Sequence, residues 1–397
     1  MTDQRRQTFG RALWLLLMVA VALPAVAQQS FKQLMRQSDP TYLNSSEARR
    51  IGDQVLLYQR VTGGWPKNID MARPLSDEER AQVEADKQRQ DDSTTDNDAT
   101  NIQMIFLARL YQATGDQRYR DGFRRGVDYL LGGQYANGGW PQFWPEMHDY
   151  QIHITYNDGA MVNTMMLLRG VAEQREPFQG DIADERQRSR AKEAFDKGVA
   201  CILVTQIVNS DGELTVWCQQ HDRETLLPAK ARAYELPSYC SAESGGIVRL
   251  LMSLPEPDER VKRAVHAAMR WFDKYKLTGY RVKRQWEWDG RQTVIVRDST
   301  AGPMWARFYD LERCEPFVCD RDGVPRRHLE EIGNERRNGY AWYRTDPAEL
   351  YPLYNEWTNR YDPANKVTIS LTTKGANENG HFDWFRETED SGRGNNE

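Results

Sequence analysis

The amino-acid sequence predicts a mainly α fold, an α/α toroid built from helical hairpins with a small β-sheet region. Three observations predict it. A glycine- and tryptophan-containing loop recurs along the chain, apolar residues at helical spacing fill the intervals between its copies, and one segment near residue 280 alternates in the manner of a β-hairpin.

The recurring loop is the main organisational signal. Residues 59–66 (QRVTGGWP) reappear as residues 134–141 (QYANGGWP), and a weaker third copy contains Gln206, Asp211-Gly212 and Trp217. Each copy follows a helix-like stretch, where glycine can end a helix. Repeats of about 70 residues are typical of stacked helical hairpins. An open solenoid is the alternative, but loops of this composition resemble site-forming loops and favour the toroid.

Helical spacing of apolar residues fills the chain between these loops. The segments are 102–111, 123–131, 161–171, 191–204, 247–254 and 261–272. Thr114-Gly115-Asp116 combines a helix stop with a helix start, and prolines at 255 and 257 separate the last two segments. We therefore expect at least six helices in consecutive pairs.

Residues 280–296 form a different pattern. Two nearly alternating stretches flank Asp289-Gly290, a sequence typical of tight hairpin turns. This segment accounts for the predicted small sheet.

The two ends of the chain differ from its middle. Three arginines precede a short apolar run, and Ala25-Val26-Ala27 fits a cleavage site, so residues 1–27 are predicted to be a signal peptide. Residues 28–372 are expected to form a single catalytic domain, and residues 373–397 a polar, flexible C-terminal tail. The mature protein is then secreted or periplasmic, a monomer without a membrane-spanning segment.

Composition limits the class of partner. The formal net charge of −5 argues against nucleic-acid binding, and a polyanionic substrate would require local cations or a bound metal ion. The five cysteines include no CxxC motif, which argues against a zinc site. Cys314 and Cys319 are close enough in sequence to form a disulfide in an oxidising compartment.

Acidic motifs stand before two of the predicted helices. Residues 95–100 (TDNDAT) and 156–160 (YNDGA) occupy the same place in their repeats, with an Asn-Asp pair in each. Helix capping would account for one acid in each motif. Converging carboxylate and amide oxygens would instead suit Ca²⁺. Both interpretations remain open on the residues alone.

Two further motifs contain arginines in loops at the same end of the repeats. Arg232 lies in KARAYELPS, where Glu235 is a possible partner, and Arg307 lies in MWARFY. Arg321 follows in an Arg-Asp-Gly turn. Arginines near aromatic residues can bind carboxylates in a bidentate manner. Structural ion pairs with neighbouring acids are the alternative.

Together these segments resemble the polysaccharide lyase family 10 pectate lyases. The matching pieces are 63–68 (GGWPKN), 95–100 (TDNDAT), 138–145 (GGWPQFWP), 155–162 (TYNDGAMV), 231–238 (ARAYELPS), 243–245 (ESG) and 305–309 (WARFY). The resemblance implies an (α/α)3 toroid and cleavage of polygalacturonate by calcium-assisted β-elimination, which yields 4,5-unsaturated oligogalacturonides.

The same resemblance implies roles for particular residues. Asp96 and Asp158 belong to the calcium site, with Asn97 beside them at the substrate. Arg232 takes the role of the base. The cations that hold galacturonate carboxylates are Lys67, Arg307 and Arg321. Because arginine is ordinarily protonated, a basic Arg232 requires neighbouring cations and desolvation, and predicts activity that rises into alkaline pH.

Two other functions are compatible with the pattern. An α/α-toroid glycoside hydrolase could use Asp96 and Asp158 as acid and base, and it would give no unsaturated product. A non-catalytic protein that binds acidic glycans would show binding without turnover. A terpene-cyclase toroid is disfavoured because its acidic motif in an apolar cavity is missing from the sequence.

Overall fold

The computed structural model describes residues 31–288 and 290–372. The predicted signal peptide, Asp289 of the predicted turn and the predicted C-terminal tail lie outside the described residues. None of the helices in the two described ranges combines the length and the apolarity needed to cross a lipid bilayer.

Helices dominate this part of the chain. They are α1 (Phe31–Met35), α2 (Pro40–Leu43), α3 (Ser46–Tyr58), α4 (Asp77–Ala85), α5 (Asn101–Thr114), α6 (Gln117–Gly132), α7 (Ala160–Ala172), α8 (Glu185–Thr205), α9 (Ser241–Met252), α10 (Glu259–Tyr275), α11 (Asn334–Gly339) and α12 (Leu350–Tyr361). The predicted mainly α class and all six predicted helical segments are confirmed.

Three consecutive hairpins, α5–α6, α7–α8 and α9–α10, form the body of a mainly α toroid. The first helix of each pair packs against the first helix of the next, and α12 completes this inner row. The second helices form an outer row that begins with α3. Inner helices α5, α7 and α9 are apolar around most of their circumference, whereas outer helices carry charged residues on one face.

A buried tryptophan anchors the loop after each outer helix. Its indole N–H donates to a backbone carbonyl of that helix. The bonds are Trp65 to Val55 (2.7 Å), Trp140 to Leu130 (2.7 Å), Trp217 to Ile202 (2.7 Å) and Trp305 to Phe272 (2.9 Å). The predicted third copy of the loop is therefore confirmed, and a fourth exists that the sequence pattern did not indicate.

A glutamine joins each of the first three loops to the next outer helix. The side-chain amide of this glutamine donates to one carbonyl of its own loop and to one carbonyl of the next outer helix. The cross-links are Gln59 to Gly122 (2.8 Å), Gln134 to Ala194 (2.8 Å) and Gln206 to Ala264 (3.1 Å). In the fourth loop Lys276 follows α10 instead, and its buried ammonium donates to Asp273 at 2.6 Å.

The fourth loop contains an inserted β-hairpin. Leu277 and Met304 bond to each other through their backbones, with N···O distances of 2.7 and 2.9 Å, and the hairpin lies between them. Its strands are β4 (Tyr280–Glu287) and β5 (Gly290–Arg297), which confirms the predicted hairpin.

The remaining strands are short and lie beside the inner helix starts. They are β1 (Ile154–Thr155), β2 (Gln220–His221), β3 (Tyr239–Cys240), β6 (Trp305–Ala306), β7 (Phe308–Tyr309), β8 (Pro316–Cys319), β9 (Pro325–Arg326) and β10 (Tyr343–Arg344). Strands β3, β7, β8 and β9 form one antiparallel sheet in that order, and β1–β2 and β10–β6 form separate pairs.

The suggested disulfide between Cys314 and Cys319 is not formed. Both side chains are free thiols that contact different groups. The indole N–H of Trp271 donates to the Cys314 sulfur at 3.2 Å, and the Cys319 thiol lies 3.4 Å from the Asp320 carbonyl oxygen. Proximity in sequence did not bring the two sulfurs together, because Cys314 lies against α10 and Cys319 ends β8.

Candidate active site

The acidic motifs form short 3₁₀ turns that lead into α5 and α7. These turns span Asp96–Asp98 and Asn157–Gly159, and they lie side by side. Asn97 (φ 54, ψ 35) and Asp158 (φ 50, ψ 25) share a left-handed backbone conformation. This conformation tolerates Asn and Asp better than most residues.

The register between the motifs differs from the one predicted. The residues whose N–H donates to an anchoring tryptophan carbonyl are Thr94, Thr155 and Cys240. Counting three residues onward from each gives Asn97, Asp158 and Glu243. The two Asn-Asp pairs are therefore offset by one position, and Asn97 is the structural counterpart of Asp158.

The capping interpretation of these acids is wrong. Helices α5 and α7 begin without a side-chain cap. Outer helices α6, α8 and α10 are instead capped by Asp116, Asp184 and Asp258, which accept backbone N–H groups of the first turn. The carboxylates before the inner helices are thus left for other partners.

Lys67 and Asp96 form the first charged pair of the site. Lys67 lies two residues after Trp65, and its ammonium contacts the carboxylate of Asp96, which is only 3% exposed. The same ammonium lies 5.3 Å from the centre of the Phe143 ring. Asn97 is adjacent and donates its amide to Asn68 at 3.1 Å. The structure therefore brings Lys67, Asp96 and Asn97 together, as predicted.

Arg307 forms the second charged group. Its guanidinium donates to Glu243 Oε1 at 2.6 Å and to Asn157 Oδ1 at 2.9 Å, and lies 3.7 Å from Asp158 Oδ1. Burial alone would lower the pKa of Arg307, but the charge of Glu243 outweighs it and raises the pKa well above its usual range. The thiol of Cys240 donates to the other oxygen of Glu243. Arg307 is thus a fixed cation beside Asp158.

Glu243 is a site residue whose role was missed. The sequence motif ESG contains it, yet it lies inside the first turn of α9 and not in an Asn-Asp motif. Glu243 stands three residues after Cys240, as Asp158 stands three residues after Thr155 and Asn97 three residues after Thr94. Only this shared position relates it to the other two site residues. An alignment of the loops by their tryptophans would have identified it.

The two cations of the site occupy equivalent positions in different repeats. The residues two places after the anchoring tryptophans are Lys67, Gln142, Gln219 and Arg307. In the last three, the backbone carbonyl accepts an N–H from the start of the preceding inner helix, at 3.4, 2.9 and 3.0 Å. Gln219 is fully buried, and neither polar atom of its amide has a partner among the described residues. The position two residues after the tryptophan is therefore a cation in the first and fourth loops and a glutamine in the second and third.

Asp158 is the least satisfied carboxylate of the group. Its contacts are the 3.7 Å approach of Arg307 and a long 3.4 Å bond from the Asn157 amide, and its side chain is 41% exposed. Desolvation, followed by the negative charges of Glu243 and Asp96, raises the pKa of Asp158 despite the opposing effect of Arg307. A further positive charge would stabilise its ionised form.

Arg232 forms a bidentate pair with Glu235. Its Nε donates to Glu235 at 2.7 Å, Nη2 makes a second contact, and the Tyr340 hydroxyl donates to the same carboxylate at 2.7 Å. Its guanidinium lies 5.0 Å from the Tyr234 ring centre. Burial acts to lower the pKa of Arg232, but the hydrogen bonds and charge of Glu235 outweigh it, so the pKa is raised.

Arg321 lies apart from the carboxylate cluster. Both of its bonds, at 2.9 Å, go to Glu335, and its side chain is exposed. Glu335 also contacts Arg336, whose guanidinium lies 4.6 Å from the Tyr234 ring. Among the described residues Arg321 forms its ion pair with Glu335 and none with Asp96, Asp158 or Glu243, so its substrate-binding role remains a prediction.

The described residues contain no group of three or more His, Cys, Asp or Glu side chains arranged to hold a metal ion. The oxygens that could contribute to a cation site are those of Asp96, Asn97 and Asp158, together with groups from a substrate. A cavity of about 260 Å³ is lined by Lys67, Asn68 and Asn97. A larger cavity of about 1040 Å³ lies beside α10 and includes none of the predicted site residues. Because Asp96, Asp158 and Arg307 do not line the smaller cavity either, we define the site by the contacts among its charged side chains.

Comparisons with known proteins agree with this geometry. The family model for pectic acid lyase matches residues 59–351. The family 10 polysaccharide lyase from Cellvibrio cellulosa is 34% identical, covers 80% of this chain and 95% of its own, and has a TM-score of 0.69. A mutant of that family 10 lyase, solved in complex with trigalacturonic acid, is 33% identical, with coverages of 80% and 97% and a TM-score of 0.69. A search of curated proteins gave no match.

The matched span runs from the first glutamine of the loops to the start of α12, and it includes every residue predicted for the site. The hydrolase and non-catalytic alternatives receive no support from these comparisons. The chain therefore belongs to the pectic acid lyase family, and it is a pectate lyase with the mainly α fold of the family 10 polysaccharide lyases.

Proposed function

We propose that this protein is a secreted enzyme that cleaves (1→4)-α-D-galacturonan by calcium-assisted β-elimination and releases 4,5-unsaturated oligogalacturonides. The observation that carries the proposal is the convergence of Lys67, Arg307 and Arg232 with Asp96 and Asp158 in a chain whose net charge is −5. Local cations of this kind are what an anionic polymer requires from an acidic protein.

The residues present are compatible with calcium. Asp96, Asn97 and Asp158 offer the hard oxygen donors that Ca²⁺ prefers. Desolvation raises the pKa of Asp158 although Arg307 lies 3.7 Å away, so a further cation would favour the ionised carboxylate. When bound, calcium would supply positive charge next to a galacturonate carboxylate. Solvent and substrate oxygens would complete a coordination sphere that two aspartates cannot fill.

The protein's own cations then bind and orient the polymer. Lys67 and Arg307 each lie beside a carboxylate of the site, where they can also pair with the carboxylates of galacturonate. Pairing at the sugar being cleaved stabilises the negative charge that develops as the C5 proton leaves. Pairing at neighbouring sugars fixes the register of the chain.

Elimination needs a base near C5, and it does not consume a water molecule. The base removes the C5 proton, the electrons of that bond form the C4–C5 double bond, and the C4–oxygen bond breaks. The leaving oxygen takes up a proton, so atoms and charge balance. We assign the base to Arg232, which lies at the edge of the cluster with its side chain partly exposed. Glu235 opposes the loss of a proton from Arg232, so the neutral form of Arg232, which is the active base, is populated only at alkaline pH.

The test is an absorbance assay on polygalacturonate at alkaline pH. We expect the wild-type protein to produce ultraviolet-absorbing unsaturated ends, with the rate abolished by a chelator and restored by added calcium. New reducing ends without absorbance would identify a hydrolase and refute the proposal. A rate unaffected by chelator would refute the calcium requirement alone.

Secretion is tested separately. We expect the protein exported from its source cells to begin at Gln28, as determined by mass spectrometry of the intact chain. Recovery of the chain only inside the cells, with residues 1–27 retained, would contradict the proposal.

A further inference from the structure

Two tryptophans lie in solvent at the tip of the β4–β5 hairpin. Trp286 is 82% exposed and Trp288 is 96% exposed, whereas the anchoring tryptophans Trp65, Trp217 and Trp305 are fully buried. Neighbouring exposed indoles are costly in water and mark interaction sites in soluble proteins.

The strand register places arginines beside one of these indoles. Trp286 pairs directly with Arg291, and Arg284 pairs with Thr293 on the same antiparallel ladder. Because side chains alternate along a strand, Arg284, Trp286, Thr293 and Arg291 share one face of the hairpin. Trp286 therefore has one arginine two residues before it on its own strand and another directly opposite it on the partner strand.

These cations have no counterion among the side chains that the structure describes. Lys283, Arg284 and Arg291 form no ion pair with any carboxylate whose position is described. The hairpin sequence from Tyr280 to Arg297 contains five Lys and Arg residues against two acids, within a chain of net charge −5. The hairpin as a whole thus has a formal charge of +3, which complements an anionic partner.

The hairpin is attached to the active site at its base. It begins and ends at the Leu277–Met304 backbone pair, and Arg307 follows three residues after Met304. Strand β5 packs against α11, whose Arg336 covers Tyr234, the ring that also contacts Arg232. Two strands of eight residues extend roughly 25 Å from that base.

We propose that Arg284, Trp286, Trp288 and Arg291 form a second contact for the acidic polysaccharide, outside the catalytic cluster. This inference rests on the proposed function, because it takes the same polymer as its ligand. An indole face packs against the apolar C–H face of a pyranose ring, as it does against other flat apolar groups. The flanking guanidinium groups pair with the carboxylates of successive sugars. The contact would hold long chains and would not reach short ones bound at the cluster.

The experiment compares polygalacturonate with trigalacturonate. Trp286→Ala combined with Trp288→Ala, and separately Arg284→Gln combined with Arg291→Gln, should each raise KM for the polymer about tenfold. In both variants kcat on the polymer and both constants on the trimer should equal those of the wild type. High salt should abolish the effect of the arginine substitutions and preserve that of the tryptophan substitutions, because salt screens exposed charges.

Matched controls lie on α8, away from the hairpin. Val204→Ala removes another exposed apolar side chain and Arg190→Gln another exposed arginine, and neither should change KM. Wild-type KM for the polymer in both hairpin variants would overturn the proposal. An equal loss on the trimer would also overturn it, since the hairpin would then act through the catalytic cluster. A change in sedimentation would identify a second copy of the chain as the occupant instead.

Failure of the proposed function gives a different result. The wild-type protein would then produce no unsaturated ends from either substrate. Retardation of the wild type and the hairpin variants by polygalacturonate embedded in a native gel still tests the inference, because it measures binding without turnover. Equal retardation of all proteins would refute it.

Discussion

Glu235 determines the ionisation of the residue that we assign as the base. Its carboxylate accepts two contacts from the Arg232 guanidinium, one from the Arg232 backbone N–H and one from Tyr340, and it is 1% exposed. Burial acts to raise the pKa of Glu235, yet its bonds with Arg232 outweigh burial and lower the pKa. The pair therefore holds Arg232 as a cation and Glu235 as an anion.

We expect Glu235→Gln to shift the alkaline rise of kcat/KM to lower pH. The substitution removes the charge that raises the pKa of Arg232, so the neutral guanidine becomes populated at lower pH. The measurement is the pH profile of kcat/KM from absorbance of the unsaturated product.

A matched control is Glu335→Gln, which removes the equivalent partner of Arg321 at the exposed pair. Its pH profile should remain that of the wild type. If Glu235→Gln changes the rate without moving the profile, Arg232 acts as a fixed cation and is not the base.

Asp158 should link stability to pH and to calcium. The pKa of Asp158 is higher in the folded protein than in the unfolded chain. Its contribution to stability is therefore fully present below its unfolded-state pKa and is lost as pH rises through its folded-state pKa. Asp158→Asn should therefore raise Tm at pH 7 and leave it unchanged at pH 3. Activity at neutral and alkaline pH should fall about 100-fold.

Calcium titration provides the second readout for Asp158. Added calcium should raise the Tm of the wild type by more than that of Asp158→Asn, because binding to the folded state stabilises it. An equal increase in the two proteins would remove Asp158 from the cation site.

The sequence predicted which residue types meet at the site better than it predicted how they are arranged. Lys67, Asp96 and Asn97 converge, and Asp158 lies near Arg307, as the resemblance implied. The pairing of Arg307 with Glu243 could not be predicted, because it joins residues 64 positions apart, one in the first turn of α9 and the other in the fourth loop.

The loops between elements depend on glycines in the left-handed region. A Cβ on Gly138 (φ 90°) would lie 2.2 Å from the Lys197 carbonyl oxygen, and one on Gly63 (φ 93°) would lie 2.3 Å from that of Arg125. Both loops thus approach the next outer helix as closely as a backbone without a side chain allows.

We expect Gly138→Ala to destabilise the protein by about 3 kcal/mol, because it combines backbone strain with a clash against a helix carbonyl. Gly212→Ala in the third loop is the matched control. Gly212 also has a positive φ, of 81°, but its Cβ would meet nothing within 4 Å, so the cost should be about 1 kcal/mol. The measurement is the free energy of unfolding in urea. Equal losses in the two variants would show that backbone strain alone, and not the close approach to the helix, requires glycine at position 138.

The helices were predictable where the apolar periodicity was strong. The loop pattern could not be recognised where an insertion interrupted it. The fourth loop escaped detection because the β4–β5 hairpin separates Lys276 from Trp305, and because lysine replaces the usual glutamine. The acids before α5 and α7 were partly attributed to capping, since composition alone does not distinguish a capping aspartate from one that faces a ligand.

At the scale of the whole molecule, the toroid separates stability from chemistry. Tryptophans and aspartate caps secure the outer helices, whereas the acidic groups of the site lie at the uncapped starts of the inner helices. The toroid itself was predictable because its repeats are regular. The identity of the side chain two residues after each tryptophan differs between repeats, so only the structure showed that Lys67 and Arg307 are counterparts.

The bond from Arg307 to Asn157 spans 150 positions of the chain. A chain synthesised from its N-terminus acquires Asp96, Asn157 and Glu243 long before the segment that contains Arg307. All three hairpins end by Tyr275, so they are synthesised before that segment. The buried cation of the site is therefore synthesised after all three hairpins, and Tyr340 and α12 follow later still. A growing chain that ends before them carries the acidic groups without a complete centre.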